Sequence, residues 1–231
     1  MKKDLAEIVG LTRKYLEEQL ERGTETVPVD PEIVAKLGRV VRPAGGARPQ
    51  PLGVVEQEAL KCVKCQLHET RTNVVFGEGD PEARLLFVGE APGRDEDLQG
   101  RPFVGRAGQL LTRIIESIDL TREKVYIANV LKCRPPKNRN PLPDEISCCL
   151  PYLTRQIEII QPRIICALGA FAAQTLVGSS EGIGKLRGKF YDYQGAKLMP
   201  TYHPAACLRN PSNKKYVWQD MKQIREEYFE R

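Results

Sequence analysis

The stretch Arg84-Leu85-Leu86-Phe87-Val88-Gly89-Glu90-Ala91-Pro92-Gly93 decides the fold. Residues 84–88 form a short apolar run of strand length, and Gly89 ends it in a sharp turn. Downstream, Leu110, Leu111, Ile114, Ile115 and Ile118 fall on one face of a helix over residues 107–118. A second strand is expected at 125–131, a helix at 144–160, a third strand at 163–168 and a helix at 169–177. A fourth strand at 197–201 and a closing helix at 214–230 complete the series; the helix carries Tyr216, Val217, Ile224 and Tyr228. Strands alternating with helices predict an α/β fold: a mostly parallel four-stranded central sheet with helices on both faces. Ligands bind such sheets in the crevice beyond the carboxyl ends of the strands. The turn at residues 89–93, Asn129 and His203 all fall there. No internal repeat is visible.

Upstream the character changes. Leu5, Ile8, Val9, Leu16 and Leu20 recur at helical spacing, so residues 4–21 read as an amphipathic helix. The run Arg42-Pro43-Ala44-Gly45-Gly46-Ala47-Arg48-Pro49-Gln50-Pro51 follows, and it reads as a linker unable to bury a core. Residues 1–50 are therefore expected to be an N-terminal helical extension with its linker, and residues 51–231 the main domain.

The 231 residues are 41% hydrophobic and 28% charged, as in a soluble globular protein. No apolar run reaches the length of a membrane span, and the opening residues do not form a secretory signal. The expected location is inside the cell, where disulfides are uncommon. A net charge of +5 mildly favours an acidic partner such as nucleic acid.

Four of the seven cysteines stand out: Cys62 and Cys65 as a Cys-x-x-Cys pair, Cys133 directly after the second strand, and Cys149 in the next helix. Four thiolates so placed could hold zinc or an iron–sulfur cluster, and spacing does not choose between them. A thioredoxin-like pair is disfavoured, because Cys62 does not directly follow a core strand. Cys148 and Cys149 diverge by about a hundred degrees on a helix, so one of them faces the site. Cys166 and Cys207 read as small buried hydrophobes.

The turn at 89–93 is neither a GxGxxG fingerprint nor a Walker loop. Its glycines let a ligand approach the backbone closely. The loop beyond it, residues 94–105, sets Phe103 among three acids and two arginines, downstream of a strand end where a flat ligand can stack. His203, in Thr201-Tyr202-His203-Pro204, is placed as a hydrogen-bond or proton donor. His68 reads as a surface or helix-face residue.

Three ordered segments now combine: Gly89-Glu90-Ala91-Pro92-Gly93 leading to Gly100-Arg101-Pro102-Phe103-Val104-Gly105, then Asn129-Val130-Leu131-Lys132-Cys133-Arg134-Pro135-Pro136, then His203-Pro204. Together with the four cysteines they resemble the family 4 uracil-DNA glycosylases, the thermostable iron–sulfur type, over about residues 55–231. The resemblance implies a uracil-DNA glycosylase-like fold and a [4Fe–4S] cluster on Cys62, Cys65, Cys133 and Cys149. Cys149 is preferred to Cys148 because the family's last ligand lies two residues before a proline, here Pro151. The cluster's implied role is structural.

The same resemblance implies that Phe103 stacks on uracil and that Asn129 reads O4 and N3–H with its paired acceptor and donor. The backbone of Gly89, Glu90 and Ala91 lines the pocket, and His203 donates to O2. Ala91 stands where better-known uracil glycosylases carry an aspartate, so Glu96, then Glu90, is the expected carboxylate for positioning water or stabilising an oxocarbenium ion. Arg134, Lys137, Asn138 and Arg139 are expected to meet DNA phosphates. Leu208 or Arg209, in a loop after His203, would fill the space of the flipped base. The expected enzyme is a cytoplasmic, nucleoid-associated monomer acting on uracil in single- or double-stranded DNA, with no membrane. A replication or repair protein would dock through its N-terminal helix. The alternative is a non-catalytic iron–sulfur DNA-binding module. A relative that is trapped covalently on DNA is disfavoured, because residues 101–109 contain no histidine.

Overall fold

The computed structural model describes residues 51–230. The expected helix at residues 4–21 and its linker lie outside them. The chain opens with α1 (Leu52–Leu60) and α2 (Leu67–Thr70), then a two-residue strand β1 (Glu78–Gly79). β2 (Leu85–Gly89), α3 (Arg94–Gln99), α4 (Arg106–Glu116) and β3 (Tyr126–Asn129) follow. α5 (Pro143–Ile160), β4 (Ile164–Leu168), α6 (Ala170–Val177), α7 (Ile183–Leu186), β5 (Tyr191–Tyr193) and β6 (Ala196–Thr201) come next. α8 (Pro204–Arg209) and α9 (Lys214–Phe229) close the described chain.

The sheet has six strands in the order β1-β3-β2-β4-β6-β5, so the expected count of four is corrected. The four expected strands are its parallel centre. The two additions are antiparallel edges of two and three residues, too short to show a periodic pattern. A local signal for β5 did exist. Gln194 and Gly195 both take positive φ and make the two-residue hairpin turn into β6.

Pleating explains the layers. Leu85 and Phe87 face one side of β2 and Leu86 and Val88 the other, and all four are inaccessible to solvent. On the first side they pack with Leu111 and Ile115 of α4 and with Met221 and Ile224 of α9. On the second they meet Leu153 and Ile157 of α5 and Ala172 and Ala173 of α6. Full burial of a side chain such as Phe87 contributes about 1.5–3 kcal/mol, so the two apolar layers fix the strand order and thereby the rim on which the site is built. Cys166 and Cys207 lie in the first layer as small buried hydrophobes, as expected. Among the described residues no helix is long and apolar enough to cross a membrane.

Candidate active site and thiol cluster

The parallel pairing of β2 with β3 puts Gly89 directly beside Asn129 at the carboxyl rim. Gly89 permits a contact that no other residue would allow. A Cβ there would lie 2.3 Å from Asn129 Oδ1 and 2.5 Å from Phe103 Cζ. Three residues distant in sequence thus meet at one point. Asn129 is 2% exposed, and its Oδ1 is buried with no hydrogen-bond partner. Such an acceptor is costly to leave unpaired, by about 1–3 kcal/mol, and marks a place for a ligand's N–H. The carbonyls of Gly89 and Glu90 accept from Val130 N and Leu131 N at 3.0 Å each, so these two carbonyls are already engaged.

Phe103 takes φ of 52°, an unusual conformation for a bulky residue. Several groups hold it there. Arg122 Nη1 donates to Phe103 O at 3.2 Å and Nη2 to Pro102 O at 2.9 Å, while Arg122 also pairs with Glu78. At Gly108 of α4 a Cβ would fall 1.8 Å from Phe103 O, so the helix closes directly on this peptide. The Phe103 ring packs against His203, with centroids 5.5 Å apart. Arg122 and Gly108 are positioning residues that the sequence reading missed; nothing in a lone arginine 19 positions away points to this carbonyl.

His203 caps α8. Its Nδ1 accepts from Ala205 N at 3.1 Å, which leaves the proton of a neutral ring on Nε2. Burial, with the charge of Arg209 second, pulls its pKa down to about 4. The ring is therefore neutral at neutral pH, a hydrogen-bond donor rather than an acid. Just before it, Thr201 Oγ1 donates to the buried Asp220 at 2.5 Å, tying the end of β6 to α9.

The two carboxylates differ. Glu96 Oε1 accepts from Val104 N at 3.0 Å and Gly105 N at 3.1 Å, clamping the loop that carries Phe103. Glu90 is half-buried, and burial alone raises its pKa above the ordinary carboxylate value. The acidic run expected as loop is the short helix α3. Its Asp97 is buried and accepts from Thr72 N at 2.9 Å.

The expected DNA-facing residues divide. Lys137 and Asn138 are exposed at consecutive positive φ, and Arg134 Nε donates to Asn138 Oδ1 at 2.7 Å. Arg139 has a partner within the fold. Its guanidinium grips the buried Glu145 in bidentate fashion, at 2.9 and 2.5 Å, and Glu145 in turn accepts from Leu142 N at the start of α5. Desolvating Glu145 demands that partner, so one side of the Arg139 guanidinium is engaged while the side chain stays 38% exposed. Leu208 and Arg209 are exposed, but on the helix α8 rather than in a loop.

None of the seven cysteines is in a disulfide. Cys62, Cys65, Cys133, Cys148 and Cys149 line one cavity. Among the described residues no three His, Cys, Asp or Glu side chains are already drawn onto a single point that an ion could fill. Cys133 Sγ accepts from Arg71 Nη1 at 3.2 Å, and Cys149 Sγ from Lys132 N at 3.1 Å. Cys148 Sγ instead turns to Lys64 O, at 3.4 Å. Burial raises the thiol pKa of Cys65 and Cys133 and pushes Cys149 up to about 12. A buried thiol of this kind becomes a thiolate only beside positive charge. The donor set, with N–H groups on two sulfurs, fits a group bound through thiolates. His68 Nδ1 bonds Cys65 O at 2.8 Å, which accounts for it as a structural residue.

The model of the uracil DNA glycosylase superfamily matches residues 76–222, from just after the Cys62–Cys65 pair to beyond His203. The type-4 uracil-DNA glycosylase of Saccharolobus solfataricus is 50% identical to this chain, covering 76% of it and 85% of that protein. That of Archaeoglobus fulgidus is 48% identical, covering 77% and 93%. That of Thermotoga maritima is 48% identical, covering 77% and 95%. With the Gly89–Asn129–Phe103 junction and the neutral histidine beside it, these matches settle the family: the chain belongs to the uracil-DNA glycosylase superfamily, in its type-4 branch.

Proposed function

We propose that the chain flips uracil out of DNA and hydrolyses its N-glycosidic bond, leaving an abasic site for base excision repair. The unpartnered Oδ1 of Asn129 carries this reading. It accepts from uracil N3–H while Nδ2 donates to O4. Cytosine offers the reverse pattern and leaves both groups unpaired. Phe103 supplies the stacking surface. His203 Nε2–H donates to O2, where negative charge grows as the bond breaks, so it stabilises the transition state more than the ground state. Arg134, Lys137, Asn138 and Arg209 face DNA, with Leu208 entering the vacated stack. The test is a duplex carrying one uracil, followed by alkali: absence of strand breaks with U·G, U·A and single-stranded substrates overturns the proposal.

Glu90 and Glu96 divide the expected carboxylate role. Glu96 holds the Phe103 loop, and the half-buried Glu90 orients water or offsets the oxocarbenium charge. Because its folded pKa is raised, the native state binds more protons, and stability falls as pH rises past the ordinary 4.5. Glu90→Gln is thus expected to raise Tm at pH 7 while lowering kcat about 10²-fold. A lower Tm with unchanged kcat would assign Glu90 a structural role.

Cys62, Cys65, Cys133 and Cys149 would hold a [4Fe–4S] cluster, whose contribution is to fix structure rather than to take part in bond cleavage. Thiols that ring a cavity suit a group with its own bridging atoms better than one zinc ion, whose sulfurs must converge to about 2.3 Å from the metal. The N–H bond on Cys149 supports it over Cys148 as the fourth ligand. Cys149→Ala is expected to lose iron and the absorbance near 400 nm, and Cys148→Ala to keep both. A zinc content of one per chain, or the reverse pattern of losses, rejects this assignment.

A further inference from the structure

Lysine is almost never fully buried without partners, yet Lys132 is 1% exposed. It follows Asn129 by three residues, and its side chain turns back along the strand. Nζ donates to the Asn129 carbonyl at 2.8 Å and to Gln156 Oε1 at 2.6 Å. Gln156 is itself inaccessible, and its Nε2 donates to Phe76 O at 3.0 Å. Lys132 O accepts from Val75 N at 2.8 Å, so both ends of the residue are held. The peptide gripped by Nζ is the one whose side chain carries the unpartnered acceptor at the rim.

We propose that Lys132, braced by Gln156, is a positioning residue for base reading: it fixes the Asn129 backbone from inside the fold, so that the amide meets uracil without rearrangement. The inference rests on Asn129 as the reader of the base. Both Nζ bonds persist whether the group is an ammonium or a neutral amine, since each form keeps at least two N–H donors. A side chain already rigid in its productive geometry spares the reaction the cost of ordering, and a misplacement of about 1 Å can cost about 10²-fold in rate.

Lys132→Met keeps the unbranched chain, one atom shorter, and most of its packing but removes both bonds. The expected result is a single-turnover excision rate lowered about 10- to 100-fold. Affinity for an abasic-site duplex should stay within about twofold of that of the unaltered protein, and iron content should be unchanged. A purely structural role predicts something else. Fewer molecules would fold and Tm would drop, but the single-turnover rate of the folded fraction, measured with enzyme in excess, would stay the same; that outcome overturns the proposal. If Lys132→Met yields no folded protein, Gln156→Met carries the test, and an unchanged single-turnover rate in that variant rejects it equally. Asn129→Asp run alongside separates the two levels. Full activity there removes the underlying assignment, whereas its loss beside a fully active Lys132→Met removes only this one.

Discussion

Asn129→Asp is expected to lower uracil excision by about 10⁴-fold, the largest effect of any conservative change in this protein. The substitution preserves shape and deletes one N–H₂ group. In the proposed reading that group would face uracil O4, so a carboxylate would set acceptor against acceptor in a site with almost no solvent. Gly89 and Phe103 also crowd the oxygen that is retained: a methyl added at Gly89 would sit 2.3 Å from Oδ1. The unmodified amide is poised in the opposite sense. Its Oδ1 lacks a partner in the free protein, and in the proposed reading uracil N3–H would relieve that cost only on entry. The measurement is single-turnover excision from a U·G duplex, with binding to an abasic-site duplex as control. Retention of rate within tenfold would remove Asn129 from recognition. Loss of rate together with loss of abasic-duplex binding would mean that the DNA-facing surface, not the base pocket, had been damaged.

The sequence makes the rim visible but not the junction on it. Apolar runs at 84–88, 125–131, 163–168 and 197–201 mark strands because buried parallel strands are apolar on both faces, and each ends close to its expected position. Gly89 and Asn129 are legible as separate strand ends. Their adjacency depends on β2 lying between β3 and β4, which follows from helix packing on two faces rather than from any local pattern. Edge strands β1 and β5 are too short for periodicity to register. Charged residues that act inward are the hardest to read. Lys132 sits in a basic run with Arg134 and Lys137 and looks like part of one DNA-facing patch, yet it points into the core. Arg139 belongs to the same run and is committed to Glu145. What distinguishes Lys132 and Arg139 is the partner each folds onto, the Asn129 carbonyl with Gln156 and the buried Glu145, and pattern carries no trace of those pairings. Similarly, the sequence reading puts Glu96 ahead of Glu90, and only the structure shows two backbone N–H groups claiming Glu96.

His203→Gln is expected to reduce kcat about 10²- to 10³-fold with little change in substrate affinity, and the pH dependence identifies how the residue acts. A histidine that transferred a proton would have to be charged near neutrality. Here burial and the nearby Arg209 hold the pKa at about 4, below the ordinary 6.5, and Nδ1 is occupied as an acceptor from Ala205 N. Protonation would break that capping bond. Between pH 6.5 and 4 the unfolded chain binds the proton and the native state does not, so stability rises with pH through this window. His203→Gln should flatten that dependence. Activity between pH 6 and 8 should show no limb from this residue. Only two histidines are present, so with His68 replaced, the one remaining imidazole signal can be titrated directly by NMR. A midpoint near 6.5 would turn His203 into an acid and require proton transfer to uracil. A midpoint near 4 leaves a neutral donor whose whole contribution would be the proposed hydrogen bond to O2. In that case catalysis depends on where Nε2 is held, which the Ala205 cap and the Thr201–Asp220 tie determine.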